Sequence, residues 1–170
     1  MTASHIFVGI VLTLACIADL RTRRIPNALT LTAAVIAVVF HAATGGWAAV
    51  GSSIAGWLLG VALFFPMFAL RGMGAGDVKL LAAVGAWLGP AQVAFVAVAT
   101  SIAGGVLALA VALLHGYLKT ALTNVRALLT HWRVMGVRPL PEVTLEGTQG
   151  PRLAYAVPVA IGTMVTLWLR

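Results

Sequence analysis

Asp19 closes one apolar run and Asp77 opens another, and they are the only aspartates in the chain. A carboxylate near hydrocarbon costs roughly 2.5–3.5 kcal/mol on insertion scales, so each needs either a partner or a task. Pairing is one reading: Asp19 with Arg21 or Arg23, Asp77 with Arg71 or Lys79. Asp77 and Lys79, however, are two apart and face different sides of a helix. The other reading is joint chemistry. Two carboxylates sharing one water can serve as general base and as protonated hydrogen-bond donor in the hydrolysis of a carbonyl bond, without metal or covalent intermediate. Such a pair titrates with two macroscopic pKa values. The helix dipole disfavours an anion at a C-terminus, where Asp19 falls, and favours one at an N-terminus, which makes Asp77 the candidate base, whereas the charges of Arg21, Arg23 and Arg24 beside Asp19 would reverse that assignment.

The residues before Asp77 read Arg71-Gly-Met-Gly-Ala-Gly-Asp77-Val-Lys79. Glycines at 72, 74 and 76 let a backbone approach closely beside helix N-terminal amides. The Gly-Lys-Ser/Thr ending of a nucleotide-binding P-loop is absent. His5, His41, His115 and His131 are scattered without a His-Glu-x-x-His arrangement, which argues against a zinc protease and leaves no metal site expected. No Gly-x-Ser-x-Gly occurs for a serine hydrolase. The single Cys16 excludes an internal disulfide and reads as a small buried hydrophobe.

These carboxylates must be positioned by a membrane-embedded frame. The chain is 61% hydrophobic and only 9% charged, against roughly a quarter charged in an ordinary soluble domain. Six apolar runs are expected to cross the bilayer: His5–Leu20, Ala28–His41, Trp47–Leu70, Gly76–Gly89, Ala91–His115 and Leu153–Leu169. The fourth is short, covering some 21 Å of a core near 30 Å thick. Charge parity supports it. With six crossings, Arg21, Arg23, Arg24, Arg71, Lys79, Lys119 and the arginines after it share one side, and only Arg170 lies opposite. That side is cytoplasmic by the positive-inside rule, with both termini outside, and a net charge of +7 is a matter of loops, not of nucleic-acid binding. The first run lacks a basic region ahead of it and is followed by arginines, which predicts a retained helix and not a cleaved signal.

Residues 117–134 show helical amphipathicity, with Leu118, Leu122, Val125, Leu129 and Trp132 on one face and Lys119, Arg126 and Arg133 beside it. A helix on the cytoplasmic surface against anionic lipid is expected, followed by a loop over Gly136–Pro151. Ser52, Gly56 and Gly60, and the pair Gly85 and Gly89, predict close helix packing. The chain as a whole, 1–170, reads as one all-α polytopic membrane domain, with 117–150 as its cytoplasmic excursion.

Asp19-Leu-Arg-Thr-Arg-Arg-Ile-Pro-Asn27 resembles the first signature of type IV prepilin peptidases, and Gly74-Ala-Gly76-Asp77-Val-Lys79 resembles their Gly-x-Gly-Asp-x-Lys signature. Pro158-Val-Ala-Ile-Gly162 is similar to a segment that recurs in the family's last span. The motifs, their order and the six runs together look closest to the minimal TadV/CpaA-like branch serving Tad/Flp pili. The resemblance implies a membrane aspartyl endopeptidase of the bacterial cytoplasmic membrane with Asp19 and Asp77 as its catalytic pair. Gly74, Gly76, Lys79, Arg24, Asn27 and Pro158 become candidate substrate contacts, and no cofactor is implied. The substrate would be a prepilin or pseudopilin with a basic leader and a hydrophobic helix, cut after a glycine at the cytoplasmic face. A larger branch also methylates the new N-terminus through an added domain with paired cysteines, and the resemblance here does not extend to that activity. Two other functions suit part of the pattern. An ion-coupled transporter would bind protons or sodium at the same aspartates, nearer mid-membrane, and a structural pilus-assembly subunit would tolerate Asp-to-Asn changes.

Overall fold

A computed structural model describes residues 3–138 and 153–169. Every regular element among them is helical: α1 (Ala3–Thr22), α2 (Asn27–Ala69), α3 (Ala75–Leu88), α4 (Pro90–Leu114), α5 (Leu118–Met135) and α6 (Ala156–Trp168). Three of these, α1, α2 and α4, are long and apolar enough to cross a membrane. Together with the lipid-type composition they define an all-α membrane protein.

The 43 residues of α2 would reach about 64 Å if straight, twice the thickness of a bilayer core. Gly46 prevents this. Its φ of 63° and ψ of −161° leave the helical region, a conformation that costs only glycine nothing. The break divides α2 into arms 27–45 and 47–69 that run in opposite directions, as their contacts with α3 demonstrate. Lys79 meets Asn27 and Trp87 packs at a tilt against Phe40 and His41, so the first arm runs parallel to α3. Ser53 bonds the Ala86 carbonyl while Gly60 faces Ala82, so the second runs antiparallel. The sequence's second and third runs are therefore separate passes joined by one glycine.

The same reasoning orders the rest. Phe7 of α1 stacks on Trp87 at 5.0 Å, at the far end of the bundle from Asp19. Thr100 of α4 abuts Gly162 and Gly104 abuts Tyr155, which sets α4 and α6 antiparallel. Gly89 turns the chain between α3 and α4 with φ 81°, its N–H donating to the Gly85 carbonyl at 2.8 Å, and Pro90 starts α4 where no N–H is needed. Six passes thus alternate in direction.

The short third helix is explained by its position. Every residue from Leu80 to Trp87 is buried, so α3 is wrapped by protein on all sides and has no lipid thickness to match. Small residues make this possible: Gly56 lies backbone to backbone against Gly85, and a Cβ on Gly60 would come within 2.7 Å of Ala82 Cα. Ser53, not Ser52, is the buried serine of that stripe. In contrast, α5 contributes no buried residue. Of the expected loop at 136–151, residues 139–151 lie outside the described residues.

Candidate active site

Asp19 and Asp77 are brought together at one end of the bundle. Asp19 lies in the last turn of α1 and is only 6% exposed. The chain leaves α1 through Arg23, whose N–H donates to the Asp19 carbonyl at 2.9 Å and whose φ is 54°. Asp77 stands in the first turn of α3, with its own N–H donating to the Gly74 carbonyl at 3.2 Å. The carboxylates are within electrostatic reach of one another.

A third element completes the arrangement. The Ala156 N–H, at the start of α6, donates to Asp19 Oδ2 at 3.1 Å in a buried hydrogen bond. The expected contrast between a C-terminal Asp19 and an N-terminal Asp77 is thereby removed, because each carboxylate now sits at a helix N-terminus, Asp19 at that of α6 and Asp77 at that of α3. Helix dipoles alone do not separate base from acid here.

The two motif loops are also bound to each other. Lys79 Nζ donates to Asn27 Oδ1 at 2.9 Å. Gly76 faces Ile25, such that a Cβ at 76 would lie 3.1 Å from Ile25 Cβ. Gly76 was expected beside the substrate path; its nearest side-chain neighbour is instead the buried Ile25 of the first motif. Gly74 is the glycine at the carboxylate, since a Cβ there would lie 3.1 Å from Asp77 Oδ2. Arg24 is exposed at the same end, its carbonyl accepting from the Thr22 hydroxyl at 3.2 Å. Pro158 is fully buried in α6, two residues past the amide that holds Asp19, and presents no surface to a substrate in this arrangement.

Tyr155 was not singled out from the sequence. It precedes the Ala156 amide, lies edge-on to Phe64 with ring centroids 6.1 Å apart, turns its hydroxyl toward Gly104 and is within electrostatic reach of Asp77. The only sequence signal was a polar aromatic at the opening of an apolar run. No cluster of three potential metal ligands occurs among the described residues.

Two buried or partly buried carboxylates, carried by α1 and α3 and reached by the α6 N-terminus at one end of an apolar bundle, make the candidate site of this membrane protein. A profile of the type IV leader peptidase family matches residues 6–109. The chain belongs to that family. It is also 30% identical over 106 residues to the prepilin leader peptidase/N-methyltransferase of Aeromonas salmonicida, and equally so to that of its strain A449. Those matches cover 58% of this chain but 36% of the relatives, so the chain spans about a third of the length of the curated relatives it matches. No solved structure matches it.

Proposed function

We propose that the protein is an aspartyl endopeptidase that removes the basic leader from type IV prepilins or pseudopilins, of the Flp/Tad kind, at the cytoplasmic face of the bacterial inner membrane. The observation that carries the reading is the convergence of Asp19 and Asp77, from motifs 58 positions apart, with the Ala156 amide fixing one of them. Family membership supplies the reaction class. The nine described basic residues, Arg21 in α1, Lys79 in α3 and the rest in loops and α5, all belong to the Asp end of the passes, which supports a cytoplasmic opening.

In this mechanism one water lies between the carboxylates, one ionised and one protonated. The ionised group takes a proton as the water oxygen attacks the scissile carbonyl carbon, while the protonated group donates to the carbonyl oxygen. Collapse of the tetrahedral species breaks the C–N bond, and the departing amine takes a proton from the dyad, which returns to its starting charge. Lys79 and Asn27 hold the two loops in register, Gly74 leaves room beside Asp77, and Gly76 packs the loops together. Arg24 stands free at the rim for an acidic or carbonyl partner on the substrate or for a lipid headgroup. The proposal stops at peptide-bond hydrolysis, since methyl transfer belongs to the named activity of relatives matched over 36% of their length.

Coexpression with candidate prepilins tests it directly. Wild type should convert the precursor to a faster-migrating form, and Asp19→Asn or Asp77→Asn should leave it uncut with the enzyme still inserted. Full conversion by either variant would remove that aspartate from the reaction.

A further inference from the structure

α5 belongs to none of this machinery, yet its chemistry is strongly one-sided. Leu122, Val125 and Leu129 follow one another along the helix and are each more than half exposed. On a helical wheel Lys119, Arg126 and Arg133 fall together along one edge of that apolar face. The helix contains no acidic residue. A soluble packing helix would have its apolar stripe covered, whereas α5 buries nothing.

Its connection to the bundle fixes where it lies. α4 ends in a tight turn in which the Gly116 N–H donates to the Leu113 carbonyl at 3.2 Å and the Tyr117 N–H to the Ala112 carbonyl at 2.8 Å. α5 starts directly afterwards, at the level where the longest uninterrupted apolar pass leaves the hydrocarbon. At its other end the Trp132 indole N–H donates to the Arg138 carbonyl at 3.0 Å, folding the chain back over the last turn.

We propose that α5 is an in-plane membrane anchor, laying Leu122, Val125 and Leu129 into the bilayer interface while Lys119, Arg126 and Arg133 take anionic phospholipid headgroups. Cations along the edge of an apolar face reach phosphate by extending their stems, so both contacts form at once. Each cation held at an anionic leaflet strengthens attachment about fivefold, and three together on the order of a hundredfold.

The test uses the full chain carrying Cys16→Ala, spin-labelled at Val125→Cys or Thr130→Cys, in nanodiscs of phosphatidylcholine with or without phosphatidylglycerol. Position 125 should be oxygen-accessible and shielded from a water-soluble nickel complex in the anionic discs, while position 130 stays in water. Combining Lys119→Gln, Arg126→Gln and Arg133→Gln should return position 125 to water. All five positions are exposed or only partly buried, so these changes leave the bundle intact. A water-exposed 125 in anionic discs would overturn the proposal. So would shielding that ignores both lipid charge and the triple variant, or label broadening between two copies.

Discussion

Lys79 Nζ donates a hydrogen bond to Asn27 Oδ1 at 2.9 Å across 52 residues of sequence, tying the last residue of one motif to the last residue of the other. Asn27 opens the first arm of α2 and Lys79 lies two residues past Asp77, so the bond sets the spacing of the loops that carry the aspartates. Its donor is charged but exposed, which limits its worth to about 0.5–1.5 kcal/mol. Asn27→Ala and Lys79→Met should each lower thermal stability by that order, and the double variant by no more than the larger single effect. Additive losses in a double-mutant cycle would mean that the two side chains act separately.

The Ala156 amide makes Asp19 sensitive to how it is replaced. Asparagine keeps an oxygen for that buried donor, whereas alanine leaves it unsatisfied at a cost of about 1–3 kcal/mol. Asp19→Asn should therefore abolish cleavage with near-normal stability, and Asp19→Ala should abolish cleavage and lower the melting temperature. On the proposed mechanism the carboxylates act as a unit, so Asp19→Asn combined with Asp77→Asn should be no slower than either alone.

Three glycines of the dyad loop and of α3 have different neighbours and should fail differently. A Cβ at Gly74 pushes on Asp77 Oδ2, so Gly74→Ala should lower turnover several-fold in a protein that still folds. Gly76→Val presses on Ile25 and should loosen both loops, losing activity together with stability. Gly85→Ala meets the Gly56 carbonyl across a backbone-to-backbone contact that cannot yield as a flexible side chain would. A modest effect, as the small-residue pair alone suggests, is replaced by an expected loss of about 1–3 kcal/mol or more. Yield and melting temperature beside the cleavage rate separate the three.

Cysteine labelling checks the orientation. With Cys16→Ala as background, Arg138→Cys should react with an impermeant maleimide only after the cells are opened. It lies beyond α5, on the Asp end of the passes. Reaction in intact cells would reverse the topology and deny a cytoplasmic site.

Much of this was legible in the residues. Apolar runs and the parity of arginines and lysines predict the alternating passes, because both signals survive without tertiary context, but they do not mark Gly46 as the single break in an otherwise continuous helical stretch. The pair Asp19 and Asp77 stood out for the same reason: an acidic group in an apolar setting is costly wherever it ends up. What stayed hidden depended on packing between distant segments. Neither the Ala156 bond to Asp19 nor the neighbourhood of Tyr155 has a local pattern, since α6 reaches the site from 137 residues away. The shortness of α3 is a difficulty only until the burial of residues 80–87 removes the need to match the bilayer.

The register of the small-residue stripe is the sharpest remaining test. Intervals of four pick out Ser52 with Gly56 and Gly60, but the second arm of α2 turns Ser53 inward and leaves Ser52 exposed. Ser53 Oγ donates to the Ala86 carbonyl at 2.7 Å inside the bundle. That carbonyl lies in the last turn of α3, where the donor four residues on would be Pro90, which has no N–H. The serine thus satisfies a group the backbone cannot. Ser53→Ala should leave it buried and unpaired, costing about 1–3 kcal/mol by the measure of water-soluble proteins and nearer 0.6 if the unfolded chain in lipid finds a substitute. Ser52→Ala should change stability by less than about 0.5 kcal/mol. Unfolding of both variants in mild detergent decides it: equal effects would mean that the second arm packs in the register that spacing alone suggests.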